Sequence, residues 1–141
     1  IPDEANLKNG FFFEPAVFSE VLPQMSIFQE EIFGPLVCLN KFSTLEEAVK
    51  LANMSDFALA SSIWTQDEVL ARDLAGKINA GIIWINTYGM FYNEVCYGGF
   101  KQSGFGKELG RDGFLEYSRL KNLIIDQTKD SKPLVNYWYG F

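Results

Sequence analysis

No histidine occurs among the 141 residues. That excludes a Ser-His-Asp triad, a Cys-His pair and any His-ligated metal built from this chain. Proton transfer and nucleophilic attack are left to Lys, Tyr, Asp, Glu and Cys. Cysteine is scarce too: Cys38 and Cys96 stand far apart and make no CxxC, no zinc spacing and no disulfide framework. Two such thiols are expected to stay reduced, which points to the cytoplasm. No apolar run approaches the ~20 residues of a membrane span, and no signal peptide is visible. Surplus positive charge is also missing. A net charge of −6 argues against nucleic acid or an acidic membrane surface as partner. The chain opens on Ile1 rather than Met, so a piece of a longer polypeptide is expected.

What is present is a globular composition: 48% apolar, 16% aromatic and 21% charged residues. The length suits about one domain, and a chain near ~150 residues can bury roughly 70% of its unfolded surface. The opening, Ile1 to Gly10, reads as a loop. Residues Phe11 to Phe18 are strand-like, with Pro15 confining them to an edge or to two short pieces. Ser26 to Phe33 carries Glu30 and Glu31 and ends at the Gly34-Pro35 break. Adjacent carboxylates on an extended segment point to opposite faces, so the pair is not expected to share one site.

Leu36 to Phe42 is a short apolar run that predicts a buried strand. Ser43 and Thr44, each followed three positions later by a glutamate, are overlapping capping-box candidates. Leu45, Ala48, Val49 and Ala52 then place one apolar stripe on a helix ending near Asn53. Leu59 to Thr65 predicts the next strand. Asp67 caps a second helix with Leu70, Ala71, Leu74, Ala75 and Ile78 on one face, and Gly81 suits its exit. Ile82 to Asn86 is a third strand, apolar without alternation.

The middle of the chain therefore predicts an α/β fold, a parallel β-α-β-α-β layer. Ligands of such sheets lie beyond the carboxyl ends of the strands, which directs attention to Thr87 through Tyr97. Six of the 12 glycines then fall within the 16 residues from Gly98 to Gly113, a density that predicts turns and close backbone approaches rather than regular structure. Gly104, Gly106 and Gly110 spell GxGxxxG, not the dinucleotide GxGxxG; no strand leads directly into them and no ribose-binding acid follows at the usual distance. A helical turn is expected over Phe114 to Arg119 and a final strand over Lys121 to Asp126. The aromatic tail, Pro133 to Phe141, is expected to pack on something, a second subunit included. Cys38 reads as a small hydrophobe within its strand. Cys96 has no neighbouring cation in sequence to activate it. Tyr88, Phe91, Tyr92 and Tyr97 cluster after the third strand and suit a pocket lining.

Gln29-Glu30-Glu31-Ile32-Phe33-Gly34-Pro35 resembles the E-E-I-F-G-P signature of the NAD(P)-dependent aldehyde dehydrogenase superfamily. Three further blocks follow in the family's order: Thr44 to Ala48 with Leu51-Ala52-Asn53; Ala80-Gly81 with Trp84-Ile85-Asn86; and Gly98 to Gly104 with Glu108-Leu109-Gly110. The resemblance spans about Gly10 to Ile125. It implies that residues 1–120 are the C-terminal portion of the catalytic domain, with a glycine-rich loop, and that 121–141 form an oligomerisation strand and tail. The family's nucleophilic cysteine, general-base glutamate and oxyanion asparagine lie upstream of the E-E-I-F-G-P segment, so neither cysteine here aligns with the nucleophile. The resemblance further implies that Glu31 accepts hydrogen bonds from the nicotinamide ribose of NAD or NADP and that Phe33 packs near the nicotinamide. Phe91 and Tyr97 then match aromatic positions of the aldehyde tunnel, Tyr88 joins them as a candidate substrate-binding residue, and Glu108 matches a glutamate that helps relay protons in some members. An aliphatic or a quaternary-ammonium aldehyde would suit those rings.

The resemblance implies a fragment of an oxidoreductase that turns an aldehyde into a carboxylic acid with NAD(P)+, inactive alone, from a homodimer or homotetramer. Two alternatives stand beside it: a non-catalytic assembly module that docks its apolar tail on a partner, and a self-sufficient small nucleotide-binding domain.

Overall fold

The computed structural model describes Leu7, residues 9–125 and Gln127. The tail from Pro133 to Phe141, most of the opening loop and Asp126 of the expected last strand lie outside the described residues.

Strand β1 (Ala16–Ser19) begins just after Pro15, so proline removes the phenylalanine run before it from the ladder. The single-turn helix α1 (Ser26–Gln29) follows, then β2 (Leu36–Leu39), which starts directly after Gly34-Pro35. β2 runs parallel to β1 with Ala16 opposite Leu36 and Ser19 opposite Leu39. Helix α2 (Leu45–Asn53) has the predicted bounds. Of the two capping candidates it is Thr44 that caps, accepting the Glu47 N–H at 3.2 Å, while the Glu47 carboxylate reaches back to the Ser43 N–H at 2.7 Å.

Beyond α2 come β3 (Phe57–Ala58) and β4 (Ala60–Ile63). Helix α3 (Glu68–Lys77) is capped by Asp67, whose carboxylate accepts the Leu70 N–H at 2.9 Å. It leads into β5 (Ile82–Ile85), parallel to β4 with Ala60 opposite Ile82. The last elements are β6 (Phe100–Lys101), antiparallel to β3, and α4 (Gly110–Leu115).

The structure thus holds parallel pairs, but not the continuous β-α-β-α-β layer expected from the order of elements. Among the described residues β2 pairs with β1, β4 with β5 and β3 with β6. The crossover through α3 joins parallel neighbours as expected. The crossover through α2 does not, because the chain leaving α2 first enters β3, which is bound to β6 by a register of residues some forty positions away. Lys101 secures this arrangement. Its backbone φ of 51° turns the chain, and its ammonium donates to the Asn53 and Ser55 carbonyls at 2.8 and 2.7 Å, placing a cation at the C-terminal end of α2.

Two smaller expectations also change. The helical turn expected over Phe114 to Arg119 is displaced toward the N-terminus: helix α4 ends at Leu115 and starts at Gly110. Left-handed φ values at Leu109 (59°) and Gly110 (55°) redirect the chain there. Residues 121–125 carry no strand: with no neighbouring strand, an apolar run has no ladder to join.

The expected core is nearly absent. Among the described residues only Val21, Ala58, Ile63, Ala71 and Trp84 are buried apolar side chains. Helix α2 buries none of its stripe, and Val17, Val37, Leu39 and Leu45 are all exposed. Local patterning has formed amphipathic elements whose covering layer these residues do not provide. None of the described helices is long and apolar enough to cross a membrane.

Candidate functional site

Glu31 sits in the extended segment that follows α1. Gln29 fastens that helix by donating to the Pro23 carbonyl at 2.8 Å, and the Glu30 N–H closes it on Ser26 at 2.7 Å. The segment lines a cavity of about 310 Å³ together with Phe28, Ser55, Phe57, Gln102 and Ser103. Glu30 and Glu31 both line this cavity. The alternation expected of an extended pair therefore does not separate them, because this segment passes straight from the end of a helix into a bend rather than into a paired strand. Phe33 stands outside the lining, 92% exposed and at a left-handed φ of 53°. Sequence reasoning gave Glu31 and Phe33 separate roles at one cofactor; of the two, only Glu31 lines this cavity.

Of the four aromatic residues expected to cluster after β5, Tyr88, Phe91 and Tyr97 are linked in one chain of ring contacts through Trp84. Of the four, only Tyr97 lines either the Glu31 cavity or the one lined by Glu108. Trp84 meets Tyr88 at 5.3 Å between ring centroids and Phe91 at 5.6 Å, both edge to face. Phe91 meets Tyr97 at 4.9 Å with the ring planes 85° apart. The loop bearing them is held at its root. Asn86, at a φ of 54°, uses its side-chain amide as a strand would, accepting the Thr65 N–H at 2.9 Å and donating to the Thr65 carbonyl at 2.7 Å. Ser62 Oγ donates to the Thr87 carbonyl at 2.6 Å beside it. These contacts extend the β4–β5 ladder past its last strand residues and aim the loop at the strands' carboxyl ends.

Glu108 pairs with Tyr97 by two reciprocal backbone hydrogen bonds of 2.7 Å. Both residues line a second cavity, of about 360 Å³, with Lys107, Glu116 and the glycine turn. Lys107 Nζ donates to the Gly99 carbonyl at 3.3 Å and lies 5.0 Å above the Phe100 ring. The expected tunnel residue Tyr97 and the expected relay residue Glu108 are therefore neighbours. Leu59 and Ser103 line both cavities and form the wall between them. Ser103 Oγ accepts the Ala58 N–H at 2.8 Å, which fixes that wall to β3. Both glycines of the Gly98-Gly99 pair allow close approach: a Cβ on Gly98 would lie 2.7 Å from the Gly106 carbonyl oxygen, and one on Gly99 would lie 2.5 Å from Ser103 Cβ.

The cysteines stand elsewhere. Cys38 is on β2, its thiol directed to the Ile27 carbonyl at 3.7 Å, and Cys96 precedes Tyr97 in the loop. Sequence reasoning missed Trp84, Leu59, Ser103 and Lys107. The first two read as strand residues and the others as parts of a glycine turn. The spacing of Trp84, Tyr88 and Phe91 was the one signal available for the aromatic cluster.

A family model described as "Aldehyde dehydrogenase family" matches residues 2–123. The chain belongs to the aldehyde dehydrogenase family. It is 38% identical over 139 residues to a betaine aldehyde dehydrogenase of Bacillus subtilis, covering 99% of this chain and 28% of that protein. It is 40% identical over 116 residues to an aldehyde dehydrogenase of Davidiella tassiana, covering 82% of this chain and 23% of that protein. A crystal structure of a Staphylococcus aureus betaine aldehyde dehydrogenase variant in complex with NAD+ superposes with a TM-score of 0.85 at 41% identity, over 96% of this chain and 27% of that one. Another structure of that enzyme with NAD+ gives 0.78 at 43% identity, over 82% and 23%. The chain thus spans about a quarter of the length of these aldehyde dehydrogenases, which accounts for amphipathic elements left without a covering layer.

Proposed function

We propose that this chain acts as the C-terminal part of an enzyme that oxidises an aldehyde to a carboxylic acid with NAD+, and that the aldehyde carries a quaternary ammonium group. In this reading Glu31 anchors the nicotinamide ribose. Its ionised carboxylate offers two oxygens to the ribose diol, and Ser55, Gln102 and Ser103 give the same cavity the polar lining that a sugar requires. Phe33 reaches the nicotinamide only once the rest of the polypeptide surrounds it. When bound, NAD+ accepts the hydride of the aldehyde. Tyr88, Phe91 and Tyr97 form the wall of the aldehyde tunnel, and Glu108, on the same cavity as Tyr97, relays the proton released.

The observation that carries the substrate class is the right-angled pair of Phe91 and Tyr97, to which Trp84 links Tyr88. A trimethylammonium group lying in such a corner, within about 6 Å of each centroid, is attracted by the ring quadrupoles. The names of the relatives point the same way. The nucleophile is assigned to polypeptide upstream of these residues, where the family resemblance puts it; neither Cys38 nor Cys96 aligns with it. The reading places residues 121–141 at a contact between identical subunits and the enzyme in the cytoplasm, where free thiols persist.

The test is NADH formation from betaine aldehyde and NAD+. The chain alone is expected to form none. Joined to the upstream portion of the Bacillus subtilis relative, it is expected to restore turnover. Activity from the chain alone, or a folded but inert hybrid, would refute the proposal.

A further inference from the structure

The loop from Thr87 to Tyr97 is anchored at three places, and only the middle anchor is made by a side chain that packs on its neighbours' rings. Its root is tied through Asn86 and Ser62, and its far end through the Tyr97–Glu108 bridge. In the middle the Trp84 indole N–H donates to the Met90 carbonyl at 2.8 Å. Trp84 is 8% exposed, the largest of the buried side chains, while Tyr88 and Phe91 are 75% and 51% exposed. One buried, hydrogen-bonded ring on a strand therefore carries two exposed rings on a loop, and Phe91 passes the arrangement on to Tyr97.

We infer that Trp84 is a positioning residue that sets the spacing of the Tyr88, Phe91 and Tyr97 rings and thereby the preference of the site for a cationic over a neutral headgroup of equal size. This rests on the tunnel reading above and adds to it a residue that touches no substrate. An edge-to-face contact fixes the angle of a ring as well as its distance. A cation gains from aligned ring faces, whereas a neutral headgroup gains only from burial. Loosening the rings therefore weakens recognition of the cation first.

The experiment uses the complete enzyme and two aldehydes of the same shape, betaine aldehyde and its neutral isostere 3,3-dimethylbutanal. Trp84→Phe keeps a ring in place but removes the N–H and leaves the Met90 carbonyl unpaired. The ratio of kcat/KM for the charged over the neutral aldehyde is expected to fall roughly fivefold, with the KM for NAD+ unchanged. A merely structural role would lower thermal stability and both kcat/KM values together, leaving the ratio where it was; that result overturns the inference. Phe91→Leu separates the two levels. If it leaves the ratio unchanged, the tunnel reading fails and this inference with it. If it lowers the ratio while Trp84→Phe does not, the inference alone fails. Should Trp84→Phe not fold, Gly89→Ala tests the same geometry from the loop. Nothing lies within 4 Å of a Cβ there, yet alanine resists its φ of +72°, so the Met90 carbonyl is drawn away from the indole. The same fall in ratio is expected, and an unchanged ratio overturns the inference.

Discussion

Replacing Gly81 with alanine puts a close backbone approach under direct strain. The added Cβ would lie 1.6 Å from the Gly98 carbonyl oxygen and 2.7 Å from its carbon, where real Cβ atoms stay beyond 3.0 Å. The two backbones must part by about 1.4 Å, and neither is a flexible side-chain end that can swing aside. Parting them strains the hydrogen bonds from Gly81 to the Ala58 carbonyl (3.1 Å) and from Ile82 to the Leu59 carbonyl (3.2 Å). Two bonds at about 1 kcal/mol each, with overpacking of about 1–3 kcal/mol, give a loss of about 3–5 kcal/mol. Urea denaturation of the complete polypeptide, with amide exchange at Ile82 as the local probe, measures it. Gly76→Ala is the matched control. It lies in α3 with nothing within 4 Å of the added carbon and is expected to stabilise by about 0.5–1 kcal/mol. A Gly81→Ala protein within about 1 kcal/mol of the parent would refute the close approach.

Asn86→Ala removes both amide bonds to Thr65 and leaves alanine at a left-handed φ; a loss of about 2–3 kcal/mol is expected, read from the urea midpoint. Thr44→Ala removes the cap of α2 and should cost about 1 kcal/mol, visible as faster amide exchange at Glu47 and its neighbours. Glu31→Gln keeps the shape of the carboxylate proposed to hold the ribose but not its charge. The KM for NAD+ is expected to rise about tenfold while the aldehyde KM holds, and an equal rise in both would contradict the assigned role.

The elements legible in the sequence were those that local chemistry decides. Helix α2 followed from the Thr44–Glu47 box and the Leu45, Ala48, Val49, Ala52 stripe, α3 from Asp67, and β5 from an apolar run between Gly81 and Asn86. What escaped was pairing. β3 and β6 are two residues each and find one another across the chain, held by a Lys101 ammonium and a Ser103 hydroxyl that no periodicity announces. The partner of β2 was misjudged for the same reason, since an apolar strand does not declare its neighbour. At the site, the gathering of Tyr88, Phe91 and Tyr97 was foreseen, but the tryptophan that joins the first two was hidden in a strand. Glu30 and Glu31 were separated by a rule for paired strands that does not hold in a bend.

Because Leu59 and Ser103 face two chambers at once, any bulk added to that septum is subtracted from both. Leu59→Phe would narrow both cavities together, so on the proposed reading the room for an aldehyde cannot be changed there without changing the room for the dinucleotide. On that reading, selectivity for the aldehyde is tuned independently at Tyr88 and Phe91, the part of the tunnel wall that stands clear of this septum.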